Sequence, residues 1–202
     1  MADSLGGIYY RNYSDFDFDK ACSFLAKEGI SLLNKPYNGK ILALDDVGDD
    51  YEITYEQMKE KASSGNIFNV SIWPTYKRRS IWTFRYDNSC LILEFGLWSL
   101  FDEEVFRVSK VFTKFFLSQI VEHPQSLLGM FIDKNGETYD YSFDPVFLTS
   151  SEEVDYVTDL ICLPQKKFDD LVIMKPSFAK KELNNGFVCA SRSSDFLDYL
   201  LS

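Results

Sequence analysis

The chain has 202 residues, 46% of them hydrophobic and 26% charged, with a net charge of −10 and an isoelectric point near 4.6. That balance excludes a disordered chain, and the length allows a core that needs no disulfide or metal staple. The acidic surplus disfavours nucleic acid and anionic lipid as partners and favours basic ones.

The first residues, "MADSLGGIYY", lack the basic stretch and apolar core of a secretory signal. No apolar run approaches the ~20 residues of a membrane helix. "IYYRNY" (8–13) has strand character. Asp15 or Asp17 can cap a helix running to about Glu28, with Phe18, Cys22, Leu25 and Ala26 at helical spacing and Gly29 just past its end. "GKILALDD" follows as a strand that stops at an acidic turn. In "TYEQMKEKASSG", Thr54 and Gln57 have the spacing of a capping box, and Gly65 closes the segment. "NIFNVSIW" alternates, placing Phe68, Val70 and Ile72 on one face of a strand that Pro74 ends.

"SIWTFRYDNSCLILEF" predicts two strands around a turn centred on Asp87-Asn88 or on Asn88-Ser89. Either turn puts Trp82, Phe84 and Tyr86 on the same side as Leu91, Leu93 and Phe95. Glu94 then falls on the more polar face, within reach of Thr83 and of a base near Arg79, as a solvated or paired strand residue. "FDEEVFRVSKVFTKFFLSQIVEHP" predicts a long amphipathic helix over about 102–122, capped by Asp102 and stopped at His123-Pro124. Its stripe of Val105, Val108, Phe112, Phe115, Phe116 and Ile120 suits the hairpin's aromatic face. "LLGMFIDKNGETYDYSF" predicts a second hairpin turning at Asn135-Gly136. Beyond Pro145 the expected elements are a helical turn near 151–156, strands in "DLICL", "DDLVIM" and "GFVCAS", and a last helix in "SDFLDYLL". Strands outnumber helices and hairpins dominate. The expected fold is one α+β domain over 1–202, a mainly antiparallel sheet with the long helix packed on one face.

Catalytic signatures are sparse. The chain has one histidine, His123, placed to complement helix-terminal carbonyls, and no G-x-S-x-G or phosphate-binding glycine motif. Cys22, Cys90, Cys162 and Cys189 stand 68, 72 and 27 residues apart among apolar neighbours, which suggests buried free thiols in a reducing compartment. "FIDKNGETYDYS" has Phe131 and Ser142 where a calcium loop needs its first and last ligands. Three basic knots, Lys77 to Arg79, Lys166-Lys167 and Lys180-Lys181, suggest solvated turns. The expectation is therefore no catalytic residue, no metal ligand and no cofactor, in a soluble, cytoplasmic protein.

One segment is asymmetric. From Asp45 to Glu60 there are seven acids and a single base, Lys59, with Tyr51 and Tyr55 interleaved. Such a cluster can be a solvated loop, or a face that steers and anchors a basic partner. Asp45, Asp46, Asp49, Asp50, Tyr51, Glu52, Tyr55 and Glu56 are the candidate partner-binding residues. In its acidity, aromatic content and α+β pattern the chain resembles the small cytoplasmic immunity proteins of bacterial toxin systems. The resemblance is one of class and carries over no individual site residue. It implies an inhibitor, monomeric or homodimeric, that occludes a basic toxin. An Asp/Glu-dependent hydrolase and an adaptor or scaffold joined through strand edges are the alternatives.

Overall fold

Hydrophobic periodicity and turn chemistry lay down a sheet-dominated chain. The computed structural model describes residues 4–34, 39–136, 142–149, 153–154, 158–173 and 178–202. In chain order the elements are β1 (Leu5–Tyr10), α1 (Phe18–Lys27), β2 (Leu33–Asn34), β3 (Lys40–Leu44), β4 (Asp50–Ile53), α2 (Tyr55–Ala62), β5 (Phe68–Ile72), β6 (Ser80–Asp87), β7 (Cys90–Gly96) and α3 (Asp102–Glu122). Then come β8 (Leu127–Asp133), α4 (Asp144–Leu148), β9 (Glu153–Val154), β10 (Leu160–Pro164), α5 (Gln165–Asp170), β11 (Val172–Ile173), β12 (Ala179–Leu183), β13 (Phe187–Ser191) and α6 (Ser194–Leu201).

Among the described residues, ten strands form one sheet in the order β12-β13-β10-β8-β1-β7-β6-β5-β3-β2, and β4 pairs with β3 beside that path. Each of these pairings is antiparallel. β9 and β11 make a separate parallel pair. The fold is α+β with an antiparallel sheet, as the hairpin signals predict.

The β6–β7 hairpin has the expected faces: Trp82 opposes Phe95, Phe84 opposes Leu93 and Tyr86 opposes Leu91. Asp87 pairs with Cys90, so the turn is Asn88-Ser89, and Asn88 takes a left-handed φ of 53° that asparagine tolerates. Phe112 of α3 stacks on Phe95 with ring centroids 4.0 Å apart, and Phe116 meets Phe187 edge-on. Val105, Val108, Phe115 and Ile120 are also buried. A second apolar cluster includes Tyr9, Ile92, Phe131, Phe147, Leu163 and Phe168, from strands β1, β7, β8 and β10 and helices α4 and α5.

Several boundaries differ from expectation. β1 begins at Leu5 rather than Ile8 because rings occupy the space its glycines leave open. Phe95, across in β7, lies over Gly6, and Phe131, across in β8, lies over Gly7. The N-cap of α1 is Asp17, whose carboxylate accepts from the Lys20 N–H. The N-cap position of α3 is Phe101, not Asp102, and the Glu104 carboxylate reaches back to the Phe101 N–H at 3.0 Å. In "DDLVIM" the two aspartates close α5, and the strand among the described residues is Val172–Ile173. The return strand of the Asn135-Gly136 hairpin and most of the helical turn expected near 151–156 lie outside the described residues; β9 occupies 153–154.

The cysteine expectation is corrected for one pair. Cys162 and Cys189 are directly opposed on β10 and β13 and are disulfide-bonded, whereas Cys22 and Cys90 are free. Antiparallel register places them face to face although 27 residues separate them. Among the described residues no helix is long and apolar enough to cross a membrane.

Candidate functional site: an acidic cleft

"DDVGDDYEI" forms the turn and second strand of a hairpin that runs through Thr54 into α2. Asp45 organises its turn: its Oδ1 accepts from the N–H groups of Val47 and Asp49 at 3.0 and 2.8 Å, while Gly48 supplies a φ of 89°. β3 and β4 then pair, Ala43 with Tyr51 and Leu44 with Asp50. Two-residue alternation along β4 splits the acidic segment between two faces. Asp50 and Glu52 are held by bases: Arg79 Nη1 lies 2.7 and 2.5 Å from the Asp50 oxygens, and Lys40 Nζ 2.5 and 2.6 Å from those of Glu52. Tyr51 turns to the other face, and Lys61 sits 5.8 Å from its ring centroid.

α2 starts after Thr54 with the capping box its sequence predicts. The Thr54 hydroxyl accepts from the Gln57 N–H, and the Gln57 side-chain Oε1 accepts from the Thr54 N–H. The opening turn is thereby fixed against the hairpin. Tyr55 turns away from it, packs on Phe18 and donates to Asp19 Oδ1 at 2.9 Å. Burial and that carboxylate raise the Tyr55 hydroxyl's pKa. The Lys59 ammonium and the Tyr55 hydroxyl together hold Asp19 below its usual value.

Between hairpin and helix lies an open cleft of about 550 Å³. Asp45, Asp46 and Tyr51 line it from the hairpin; Gln57, Glu60, Lys61 and Ser64 from α2 and its end; Asn66, Ile67 and Phe68 from the approach to β5. Ile67 is 66% exposed, and Val47 at the hairpin tip is 82% exposed. The side chains of Asp46, Asp49 and Glu60 accept no hydrogen bond from any described residue. The cleft thus combines three carboxylates and one base, Lys61, with a half-buried tyrosine and an exposed aliphatic post, Ile67.

Of the eight candidate residues, Asp45, Asp46 and Tyr51 meet at this cleft. Asp49 stands on the exposed turn and Glu56 on the exposed side of α2. Asp50, Glu52 and Tyr55 are drawn to Arg79, Lys40 and Asp19. Sequence reasoning passed over Gln57, Lys61 and Ser64 and counted Glu60 only as an acid. For Gln57, Glu60 and Lys61 the signal is the spacing 57, 60, 61, which is one face of α2; Ser64 lies past the helix end and carries no such signal.

A second charged assembly lies on the face of the sheet that carries Ile92. Arg85 Nη1 and Nη2 donate to the two Asp144 oxygens at 2.7 and 2.8 Å, and its Nε and Nη2 donate to Glu94 Oε1 at 3.0 and 2.8 Å. The buried Tyr9 hydroxyl donates to Asp144 Oδ1 at 2.9 Å. Burial pushes the Asp144 carboxyl upward, but the Arg85 hydrogen bonds and charge, with the Tyr9 hydroxyl, outweigh it and leave it below its ordinary value. Glu94 is a paired strand residue, and its base is Arg85 rather than one near Arg79. A hydrolase would want an acid with a raised pKa at a cleft. Asp159 is raised by burial, yet it accepts from the Lys134 N–H at 2.8 Å and lies outside the acidic cleft. His123 ends α3, with its imidazole exposed beside Glu122. Among the described residues no group of His, Cys, Asp or Glu side chains is arranged to hold a metal.

Comparison with protein-family models, curated proteins and solved structures gives no match to this chain.

Proposed function

We propose that this chain is a protein-binding inhibitor, an immunity protein that neutralises a cognate toxin with a basic active-site surface by occluding it. One observation carries the reading: Asp45, Asp46, Glu60 and Tyr51 converge on one cleft with a single base, Lys61, while Asp46 and Glu60 make no ion pair among the described residues and Ile67 is exposed beside them. A lysine or arginine of the partner would enter between the carboxylates, while its apolar surroundings would cover Val47 and Ile67. α3 would lie on one face of the sheet, with Phe112 stacked on Phe95, and brace the scaffold. The inhibitor would act in the cytoplasm as a monomer or homodimer; the Cys162–Cys189 disulfide counts against a reducing compartment. The alternative of assembly through strand edges is weakened by charge: the outer strand β12 carries exposed Lys180, Lys181 and Glu182.

The test is capture from native lysate at low and high salt, with wild-type bait beside Asp46→Asn/Asp49→Asn/Glu60→Gln. A basic protein held by wild type, lost by the variant and weakened by salt supports the reading. A partner held equally by both baits moves the interface elsewhere, and no partner at either salt contradicts the inhibitor reading.

A further inference from the structure

In a chain of net charge −10, three cations gather at one cleft. Arg11, just past β1, and Lys166 and Lys167 of α5 line a space of about 430 Å³ whose apolar walls include Leu128, Leu148 and Leu171. Its volume is within the range of small-molecule sites. The lining carries one carboxylate, Asp170, among the described residues. Lys167 is half-buried, and its Nζ donates to two neutral acceptors, the carbonyls of Phe147 and Thr149, each at 2.9 Å. Arg11 likewise donates from Nε to a neutral acceptor, the Gln125 carbonyl, at 3.2 Å. Carbonyls orient these cations without cancelling their charge. Burial and the charge of Arg11 accordingly make Lys167 easier to deprotonate than an ordinary lysine.

We propose that this cleft binds a small organic anion with an apolar body, a carboxylate on a hydrocarbon chain. The carboxylate lies toward Arg11, Lys166 and Lys167, and the chain lies against Leu128, Leu148 and Leu171. An anion there supplies the missing counter-charge in a partly desolvated place, where charge-assisted hydrogen bonds are strong. The apolar walls gain by covering hydrocarbon. The site is independent of the acidic cleft: β6 and β7 lie between β5, which borders that cleft, and β1 in the strand order.

The test is an amide chemical-shift titration of the full chain at pH 7 with octanoate, octanol and octylamine. Saturable shifts at Leu128, Leu148 and Leu171 are expected with octanoate, about tenfold weaker binding of octanol, and none of octylamine. Lys166 is exposed, so Lys166→Gln keeps the folded spectrum while weakening octanoate about fivefold, and Asp170→Asn tightens it by a similar factor. Equal binding of octanol and octanoate would reduce the site to a greasy cavity and overturn the proposal. So would affinity unchanged in both variants, or no saturable shift up to about 10 mM octanoate.

Discussion

Arg85 lies between two carboxylates, Glu94 and Asp144, and ties α4 to the sheet beneath it. Both ion pairs are about three-quarters buried, so removing one partner strands the other rather than returning it to water. Asp144→Asn should therefore cost about 1–3 kcal/mol at pH 7. The carboxyl's pKa is lowered by folding, so its stabilisation is fully present above the unfolded value near 3.9 and is lost as pH falls through the folded value. In urea unfolding the gap between wild type and variant should close below about pH 4. Equal stability at pH 7 would show that the network contributes nothing. The face that carries Glu94 was legible in the hairpin's alternation. The second carboxylate on Arg85, Asp144, was not, because a contact across 59 residues leaves no local pattern.

Elements with strong local signals were readable. α1, α2, the β6–β7 hairpin and α6 each carry a cap, a turn or a clean period, and their capping hydrogen bonds stand where Asp17, Thr54 and Ser193 imply them. β4 was missed because four residues between an acidic turn and a capping threonine are too few to display alternation, and with it went the knowledge that Asp50 and Tyr51 face opposite ways. Packing between distant strands and helices left no such local signal, even where the element itself was read, as in β8. Gly129, in β8, has a φ of 149°, and a Cβ there would run into the Cys162 carbonyl and the Phe147 ring. Gly129→Ala should lose about 2–4 kcal/mol in urea unfolding, since a backbone carbonyl cannot step aside. A loss under about 0.5 kcal/mol would contradict that packing. The β10–β13 disulfide gives a sharper check. Alkylation of the unfolded chain without reductant should modify two cysteines, Cys22 and Cys90, and leave Cys162 and Cys189 unlabelled. The Cys162→Ala/Cys189→Ala variant should be less stable by about 2–4 kcal/mol. Four reactive thiols would restore the free-thiol expectation.

At the scale of the whole molecule, two clefts of opposite charge stand apart. The acidic cleft sits beside β3–β5, and the cationic cleft lies beyond β6 and β7, next to β1 and β8. Composition alone conveyed the acidic surplus and the class of partner it suits. It could not locate the cleft, which exists only because a strand, a capped helix and the approach to β5 are folded against one another. Steering by such a surface decays with salt, so association with a basic partner should slow markedly between low and physiological ionic strength while dissociation changes less. The most direct measurement is hydrogen–deuterium exchange on the chain with its captured basic partner. The account predicts new protection at 44–51 and 57–68, with the amides of β12 and β13 unchanged. Protection confined to β12, or to the surface around Arg11 and Lys167, would contradict it.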